Sequence, residues 1–515
     1  MKYNNFWKQH EKNIIIHKNK MNIVESCIDG HAENKNFANK FAFIFKDKKI
    51  KKYTYKQLQE ETNRFSNLLK NLNLKQNSRV FLFLPKVPEL FINLLGVIKQ
   101  GSIAIPLFEA FQKQGLELRL NRGEADVLIT NKELSARLLK DITKKVPTLK
   151  HILIVDSEKY QKKLKKQSLE FKTVLKNKEE TAIIIFTSST AGTPVAGIEI
   201  SHQALIQQDY TARLVLGLTE KDDYWCTAHP GWVTGSIYGI LAPLSIGCTN
   251  YVYEEHFNAK KWIEFIKKNK ISVIYTAPTA LRMLKPDVKK QDLKNIRNLC
   301  SVGEALTKTT YDFYKKLGVD INDTFWQTET GAIVIANWPG LKKKQGSMGK
   351  SIPGITAKII NGTINLKPDF PAIMTGIYNH KKMYKDYFKK GWFKTNDSAT
   401  KDRGGYFFFI GRKDDIIKTS GERVSPIEIE SILMKNRTVK EAAVIGIPDK
   451  IKGSVLKAFI VLNQGIKESE GLKGELSIFV KQNYAGHAYP KSIEFIKKMP
   501  KTNSGKIIRM QLREL

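Results

Sequence analysis

An α/β fold spread over more than one domain is what this sequence predicts, and three observations carry the prediction. Short apolar runs alternate with segments of helical spacing through the first third of the chain. A length of 515 residues exceeds what a single core normally holds. A hydrophobic fraction of 42% is enough for a sizeable core.

Taken in order, residues 1–40 are polar and read as an N-terminal arm, and Phe41 to Phe45 reads as a strand, followed by Tyr53-Thr54-Tyr55. Apolar positions at Leu58, Phe65, Leu68 and Leu69 give 55–72 the spacing of a helix. Val80 to Leu84 is a buried strand ended by Pro85, and Pro88 to Lys99 is a helix broken by Gly101. Ala104 to Leu107, Val127 to Thr130 and His151 to Val155 continue as strands, so helices and strands alternate as in a parallel sheet. Residues 156–180, rich in Lys and Gln, read as a surface connection, and Thr181 to Phe186 is the next strand. Near the C-terminus, Pro426 sits in the first turn of a helix. Ala442 to Ile447 and Leu456 to Leu462 are strands, and Leu472 to Asn483 is a helix.

Composition narrows the function classes. No run of ~18 or more apolar residues predicts a membrane helix. The basic start lacks the apolar core of a signal peptide, so a soluble cytoplasmic protein is expected. Cys27, Cys226, Cys248 and Cys300 are scattered without metal spacing, which predicts reduced thiols and no structural zinc. The net charge is +36, but the lysines are spread along the whole chain. A lysine-coated surface suited to small anionic ligands is expected, not a nucleic-acid patch, whose footprint is clustered charge.

The motifs begin with Gly391 to Ser425: an aromatic turn, the isolated acid Asp397, a Gly404-Gly405 turn, and an aromatic strand ending in Gly411-Arg412-Lys413-Asp414. A loop with Ser420, Gly421 and Arg423 follows. After the strand at 181–186 comes Thr187-Ser188-Ser189-Thr190-Ala191-Gly192-Thr193-Pro194, whose backbone N–H groups and hydroxyls suit phosphate oxygens. His229-Pro230-Gly231 leads into Trp232-Val233-Thr234-Gly235, and Tyr275-Thr276-Ala277-Pro278-Thr279 follows another strand. Ser301-Val302-Gly303-Glu304-Ala305 and Asp323-Thr324-Phe325-Trp326-Gln327-Thr328-Glu329-Thr330-Gly331 come next. Pro500-Lys501-Thr502-Asn503-Ser504-Gly505-Lys506-Ile507 stands near the end.

In this order the motifs resemble those of the adenylate-forming acyl-CoA synthetases, and within that superfamily the acetyl-CoA synthetase branch. The resemblance covers nearly the whole chain. It implies a large N-terminal α/β adenylation domain, 1–413, and a small mobile α+β lid, 414–515. It further implies that ATP, Mg²⁺ and CoA are used, with acetate as substrate. By resemblance, Thr187, Ser188, Ser189, Thr190 and Gly192 cradle the phosphates, Gly303, Glu304 and Ala305 line the adenine, and Asp323, Thr324, Phe325, Trp326 and Gln327 belong to the nucleotide-binding set. Thr328 contacts the α-phosphate, Glu329 binds Mg²⁺, Asp397 takes the ribose hydroxyls and Arg412 reaches the same nucleotide. Trp232, Val233, Thr234, Gly235 and Trp326 wall the acyl pocket. A bulky indole at Trp326 would leave room for about two carbons, each excluded methylene shifting discrimination by ~1–3 kcal/mol. Ser420, Gly421, Arg423 and Arg119 are the CoA candidates, Asp414 is the hinge and Lys506 the catalytic lysine. A lysine acetyltransferase and deacetylase acting on Lys506 are possible partners.

The chain also departs from the family pattern. Ser189 replaces a glycine, and Val195-Ala196-Gly197 follows the proline where a lysine is usual. Residues 355–390 are compressed, and Asn396 stands where glycine often precedes the acid. Three alternatives stay open: a synthetase for another short acid such as propionate, a nucleotide-binding relative whose altered phosphate loop weakens catalysis, and, least favoured by the motifs, a nucleic-acid-binding protein built on the positive charge.

Overall fold

The computed structural model describes residues 3–46, 50–138, 140–187, 196–303, 306, 308–412, 417–419, 422–424, 426–449, 451–486, 488–500, 507, 509–513 and 515. The chain divides into two compact units. One gathers Met1–Glu109, Asn121–Phe186 and Gly197–Gly411; the other gathers Ala110–Leu120, Thr187–Ala196 and Arg412–Leu515.

The first unit holds the alternation expected from the sequence. The strand Arg79–Phe83 pairs in parallel with Ile103–Leu107 on one side and Val127–Thr130 on the other. His151–Ile154 extends this seven-stranded sheet at one edge. A nine-stranded sheet has a parallel centre of Phe41–Lys46, Thr249–Tyr253, Asp223–Cys226, Val273–Thr276, Asn298–Ser301 and Ile321–Phe325. The helix Tyr55–Lys70 starts from a capping box in which Thr54 and Gln57 satisfy each other's backbone N–H groups. Its predicted apolar positions, Leu58, Phe65, Leu68 and Leu69, are all buried.

Two local expectations are corrected. Residues 156–180 are not simply a connection: Ser157 caps a helix, Glu158–Lys165, whose Tyr160 is buried. Lys and Gln are good helix formers, so their abundance did not argue against a helix. The stretch opening at Gly391 is not a turn leading to an isolated acid. Trp392–Lys401 is a ten-residue strand with alternating burial, and Phe393, Thr395, Asp397 and Ala399 face inward. It pairs with Thr363–Leu366, with a register shift between Thr363 and Asn365.

In the second unit, Val439–Asp449 pairs antiparallel with Gly453–Leu462, which pairs in parallel with Ser492–Phe495. Helices Pro426–Leu433 and Glu470–Asn483 are present as expected, the latter capped by Ser469. Ala443, Ile445, Phe459, Met499 and Leu512 form its core. Ile417–Thr419 and Glu422–Val424 pair as two short antiparallel strands. No helix among the described residues is long and apolar enough to cross a membrane, and all four cysteines are free.

Candidate active site

Parallel strands put their carboxyl ends on one edge of a sheet, and ligands of α/β folds bind outside that edge. In the nine-stranded sheet the register aligns Thr276, Ser301 and Asp323 in neighbouring strands, and Cys226 opposite Tyr275. Three of the candidate segments follow directly: 227–235 after Cys226, Gly303 after Ser301, and 326–331 after Phe325.

Trp326 is buried there, and its indole N–H donates to the Tyr275 hydroxyl at 3.0 Å. Tyr275 OH and Thr324 Oγ1 are 2.7 Å apart, and Thr324 Oγ1 also lies 2.7 Å from the Ser301 carbonyl. A carbonyl only accepts, so the single Thr324 proton goes to Ser301, and the Tyr275 proton goes to Thr324. Ser301 Oγ in turn donates to Asp323 Oδ1 at 2.6 Å. The Tyr238 ring stands edge-on to Trp326, with centroids 5.1 Å apart, and to Tyr275 at 5.6 Å. Its hydroxyl accepts from the Ile333 N–H at 2.9 Å and sits 2.7 Å from Thr211 Oγ1. Burial pushes the Tyr275 and Tyr238 phenols up, which keeps both neutral.

Val233–Ser236 opens the helical run that carries Tyr238, so Trp232, Val233 and Thr234 lie half-buried just before a residue that touches Trp326. A Cβ on Gly235 would come within 2.2 Å of the His229 carbonyl oxygen, so only glycine allows this close approach.

The polar side of the site is built differently. Gln327 Nε2 donates to the Thr395 carbonyl at 2.8 Å and to Asp397 Oδ2, which joins the 326–331 turn to the inward face of Trp392–Lys401. Asp397 is fully buried. Asn396, just before it, has φ +59°, in the left-handed region that Gly and Asn tolerate best. This accounts for asparagine where the family often has glycine: the backbone at that register shift needs a positive φ.

Glu329 is 5% exposed; its Oε1 accepts from the Tyr387 hydroxyl at 3.3 Å, and its Oε2 has no hydrogen-bond partner. Gly331 closes this turn at φ +64°, where a Cβ would lie 2.0 Å from the Ala372 carbonyl oxygen. A buried carboxylate oxygen with an open valence suits a hard cation. No group of three or more His, Cys, Asp or Glu side chains able to hold a metal occurs among the described residues. Glu329 thus offers one oxygen to a Mg²⁺ ion, which commonly keeps waters and substrate phosphates as further ligands.

Two family models match the chain, the AMP-binding enzyme over residues 31–370 and the AMP-binding enzyme C-terminal domain over 428–506. Acetyl-coenzyme A synthetase of Bacillus subtilis is 42% identical over 96% of this chain and 90% of its own length. The acetyl-coenzyme A synthetase of Methanothrix thermoacetophila is 34% identical over 96% of this chain and 83% of its own. The chain belongs to the acetyl-coenzyme A synthetase family of AMP-binding enzymes. Among solved structures, an acyl-CoA synthetase of Brucella canis superposes with a TM-score of 0.72 at 27% identity, covering 100% of this chain and 99% of that one. The o-succinylbenzoate CoA synthetase of Bacillus subtilis, bound to a product analogue, shares the fold with a TM-score of 0.84 at 21% identity, over 96% of this chain and 99% of that one.

The structure thus brings Asp323, Thr324, Phe325, Trp326, Gln327, Thr328, Glu329 and Asp397 of the expected family site together in the first unit. Thr187 ends the strand Thr181–Thr187, and Gly303 is exposed just past Ser301. Arg119 is 2% exposed, with its guanidinium 3.8 Å from the Phe111 ring centroid and one N–H donated to the Gly115 carbonyl. Ser188, Ser189, Thr190, Gly192, Glu304, Ala305, Asp414, Ser420, Gly421 and Lys506 lie outside the described residues, as do the side chains of Arg412 and Arg423.

His229 was not among the sequence candidates. Its Nδ1 accepts from the Gly231 N–H at 2.8 Å, so the ring proton sits on Nε2. Nε2 faces the Leu84 carbonyl at 3.1 Å and Glu109 Oε2 at 2.8 Å. The ring also packs against Phe108, which touches Trp232. Burial would push the Glu109 carboxyl up, but the His229 imidazole, a backbone hydrogen bond and Lys86 together hold it below the usual value. His229 therefore ties the loop before Trp232 to the ends of two strands of the seven-stranded sheet. Its sequence signal was only its place directly before Pro230-Gly231-Trp232.

Proposed function

We propose that this chain is an AMP-forming ligase that activates acetate with MgATP and transfers the acetyl group to CoA. Likeness over 96% of this chain to proteins named acetyl-coenzyme A synthetase carries the reading. Buried Trp326 beside the open carboxylate of Glu329 is the geometry that agrees with it. In the first half-reaction an acetate oxygen attacks the α-phosphorus of ATP, the bond to the bridging oxygen breaks, and pyrophosphate leaves with acetyl-AMP formed. In the second, the CoA sulfur attacks the acyl carbon, the carbon–oxygen bond to phosphate breaks, AMP leaves, and the thiol proton is released.

The chain's own residues divide the work. Glu329 would hold Mg²⁺, which neutralises phosphate charge as pyrophosphate departs. Thr328 would contact the α-phosphate, and Asp397, oriented by Gln327, would take the ribose. Trp326 with Trp232, Val233, Thr234 and Gly235 would limit the acid to about two carbons, with propionate as a slower second. Lys506 would bridge the repelling carboxylate and phosphate in the transition state. Residues 414–515 would act as a lid turning about Asp414, so that Ser420, Gly421 and Arg423 serve CoA in the second half. Acetylation of Lys506 would remove the bridging charge, which makes an acetyltransferase and a deacetylase natural regulators. These substrates fit a cytoplasmic enzyme. The alternative of a nucleotide-binding relative with weakened catalysis rests on the altered phosphate loop, of which residues 188–195 lie outside the described residues.

The test is product stoichiometry. Purified protein with acetate, MgATP and CoA should give acetyl-CoA, AMP and pyrophosphate in equal amounts. Formation of ADP, or AMP release that does not depend on acetate, would show the proposal to be wrong.

A further inference from the structure

Tyr275 stands in a motif to which the family resemblance attaches no chemistry, yet it occupies the centre of the hydrogen-bond chain behind Trp326. The direction of every bond in that chain is fixed. The indole can only donate, and it donates to Tyr275 OH. Tyr275 must then pass its own proton to Thr324, because the Thr324 proton is given to the Ser301 carbonyl. Tyr238 touches the same indole only through its ring edge. Its hydroxyl belongs to a separate set of bonds: Thr211 donates to the Gln207 carbonyl at 2.8 Å, so Tyr238 donates to Thr211 and accepts from Ile333. Trp326 is thus held by one hydroxyl and braced by one ring.

We propose that Tyr275 is the positioning residue that sets the chain-length limit, by fixing the tilt of the Trp326 indole at the floor of the acyl pocket. The inference rests on the reading that Trp326 closes that pocket. A buried indole N–H without an acceptor is costly, so losing the hydroxyl drives the ring to tilt until it finds water or another partner. A tilted indole no longer presents the same floor, and space for a further methylene opens. The same chain reaches Asp323 through Ser301, so the segment expected beside the nucleotide and the acyl floor are held by one set of bonds.

The experiment is ATP–pyrophosphate exchange with acetate, propionate and butyrate for wild type, Tyr275→Phe, Tyr238→Phe and Trp326→Gly, with thermal midpoints measured in parallel. Tyr275→Phe should raise the propionate-to-acetate ratio of kcat/KM by about 3- to 10-fold, chiefly through a higher KM for acetate. Tyr238→Phe should lower the thermal midpoint but keep the ratio within about twofold of wild type, because the indole keeps its acceptor. In a Trp326→Phe background, which has no indole N–H, adding Tyr275→Phe should leave the ratio unchanged. A wild-type ratio in Tyr275→Phe beside a raised ratio in Trp326→Gly overturns the inference and leaves the pocket reading standing. An equal rise from Tyr275→Phe in the Trp326→Phe background overturns it as well. An unchanged ratio in Trp326→Gly overturns the pocket reading itself, and the inference with it.

Discussion

The two sides of the candidate site are both buried, and they treat their polar atoms in opposite ways. On the side proposed for the acyl group, the Trp326 indole and the hydroxyls of Tyr275, Tyr238 and Thr324 are all satisfied within the protein. On the side proposed for the phosphates, Glu329 Oε2 and Gln327 Oε1 are buried with no hydrogen-bond partner. Closed valences make a rigid shape that selects by size. Buried open valences are costly when unpaired and become favourable once a cation or a polar ligand meets them. On the reading proposed above, size selection and charge handling fall to different residues of one turn, Trp326 and Glu329, three positions apart.

The comparison breaks most visibly at Glu329. Glu329→Gln keeps the shape and removes the charge, so pyrophosphate exchange should fall by about 100-fold or more with every acid tested. The Mg²⁺ concentration for half-maximal exchange should rise. A variant with normal exchange would remove Glu329 from the metal site.

Trp326→Gly addresses the other side. It should raise the propionate-to-acetate ratio of kcat/KM by about 10- to 100-fold while leaving the Mg²⁺ requirement alone. If both variants changed both properties alike, the two sides would not be separate.

His229 sharpens the acyl side through pH. A carboxyl whose folded value is depressed adds stability that is fully present above its unfolded value, about 4.3, and is lost as pH falls through the lower folded value. Glu109 is such a group. Wild type should therefore exceed Glu109→Gln in thermal midpoint by a constant margin above about pH 4.3, and the margin should shrink as acid is added. Coincident curves from pH 3 to 7 would deny the Glu109–His229 contact a role.

The smallest expected effect is at Asn396. Asn396→Gly should be neutral within about 0.5 kcal/mol, whereas Asn396→Val should destabilise by about 1–2 kcal/mol, since a β-branched residue resists a positive φ. Chemical denaturation of the two variants decides this, and equal stabilities would remove the backbone explanation.

Much of this was legible in the sequence for identifiable reasons. The parallel sheets follow from apolar runs alternating with helical spacing, and Trp326 and Glu329 stand in a contiguous motif. What escaped was whatever depends on partners distant in the chain. Tyr275 and Trp326 are 51 positions apart, and nothing local to Tyr275 says that its hydroxyl will accept an indole N–H. His229 meets Leu84 and Glu109 only because parallel strands bring their ends together. Trp392–Lys401 was missed as a strand because Asn396, Asp397 and flanking lysines are poor strand formers, and sheet pairing overrode local preference. Sequence likewise does not report that the Phe111 ring stacks on the Arg119 guanidinium.

The measurement that bears most directly on the division of labour is acetate- and butyrate-dependent ATP–pyrophosphate exchange by wild type, Trp326→Gly and Glu329→Gln under one set of conditions. The account predicts exchange with acetate but not butyrate in wild type, gain of butyrate in Trp326→Gly, and loss of exchange with both acids in Glu329→Gln. Wild-type exchange that is equal for acetate and butyrate would contradict it, because a closed indole floor cannot admit both.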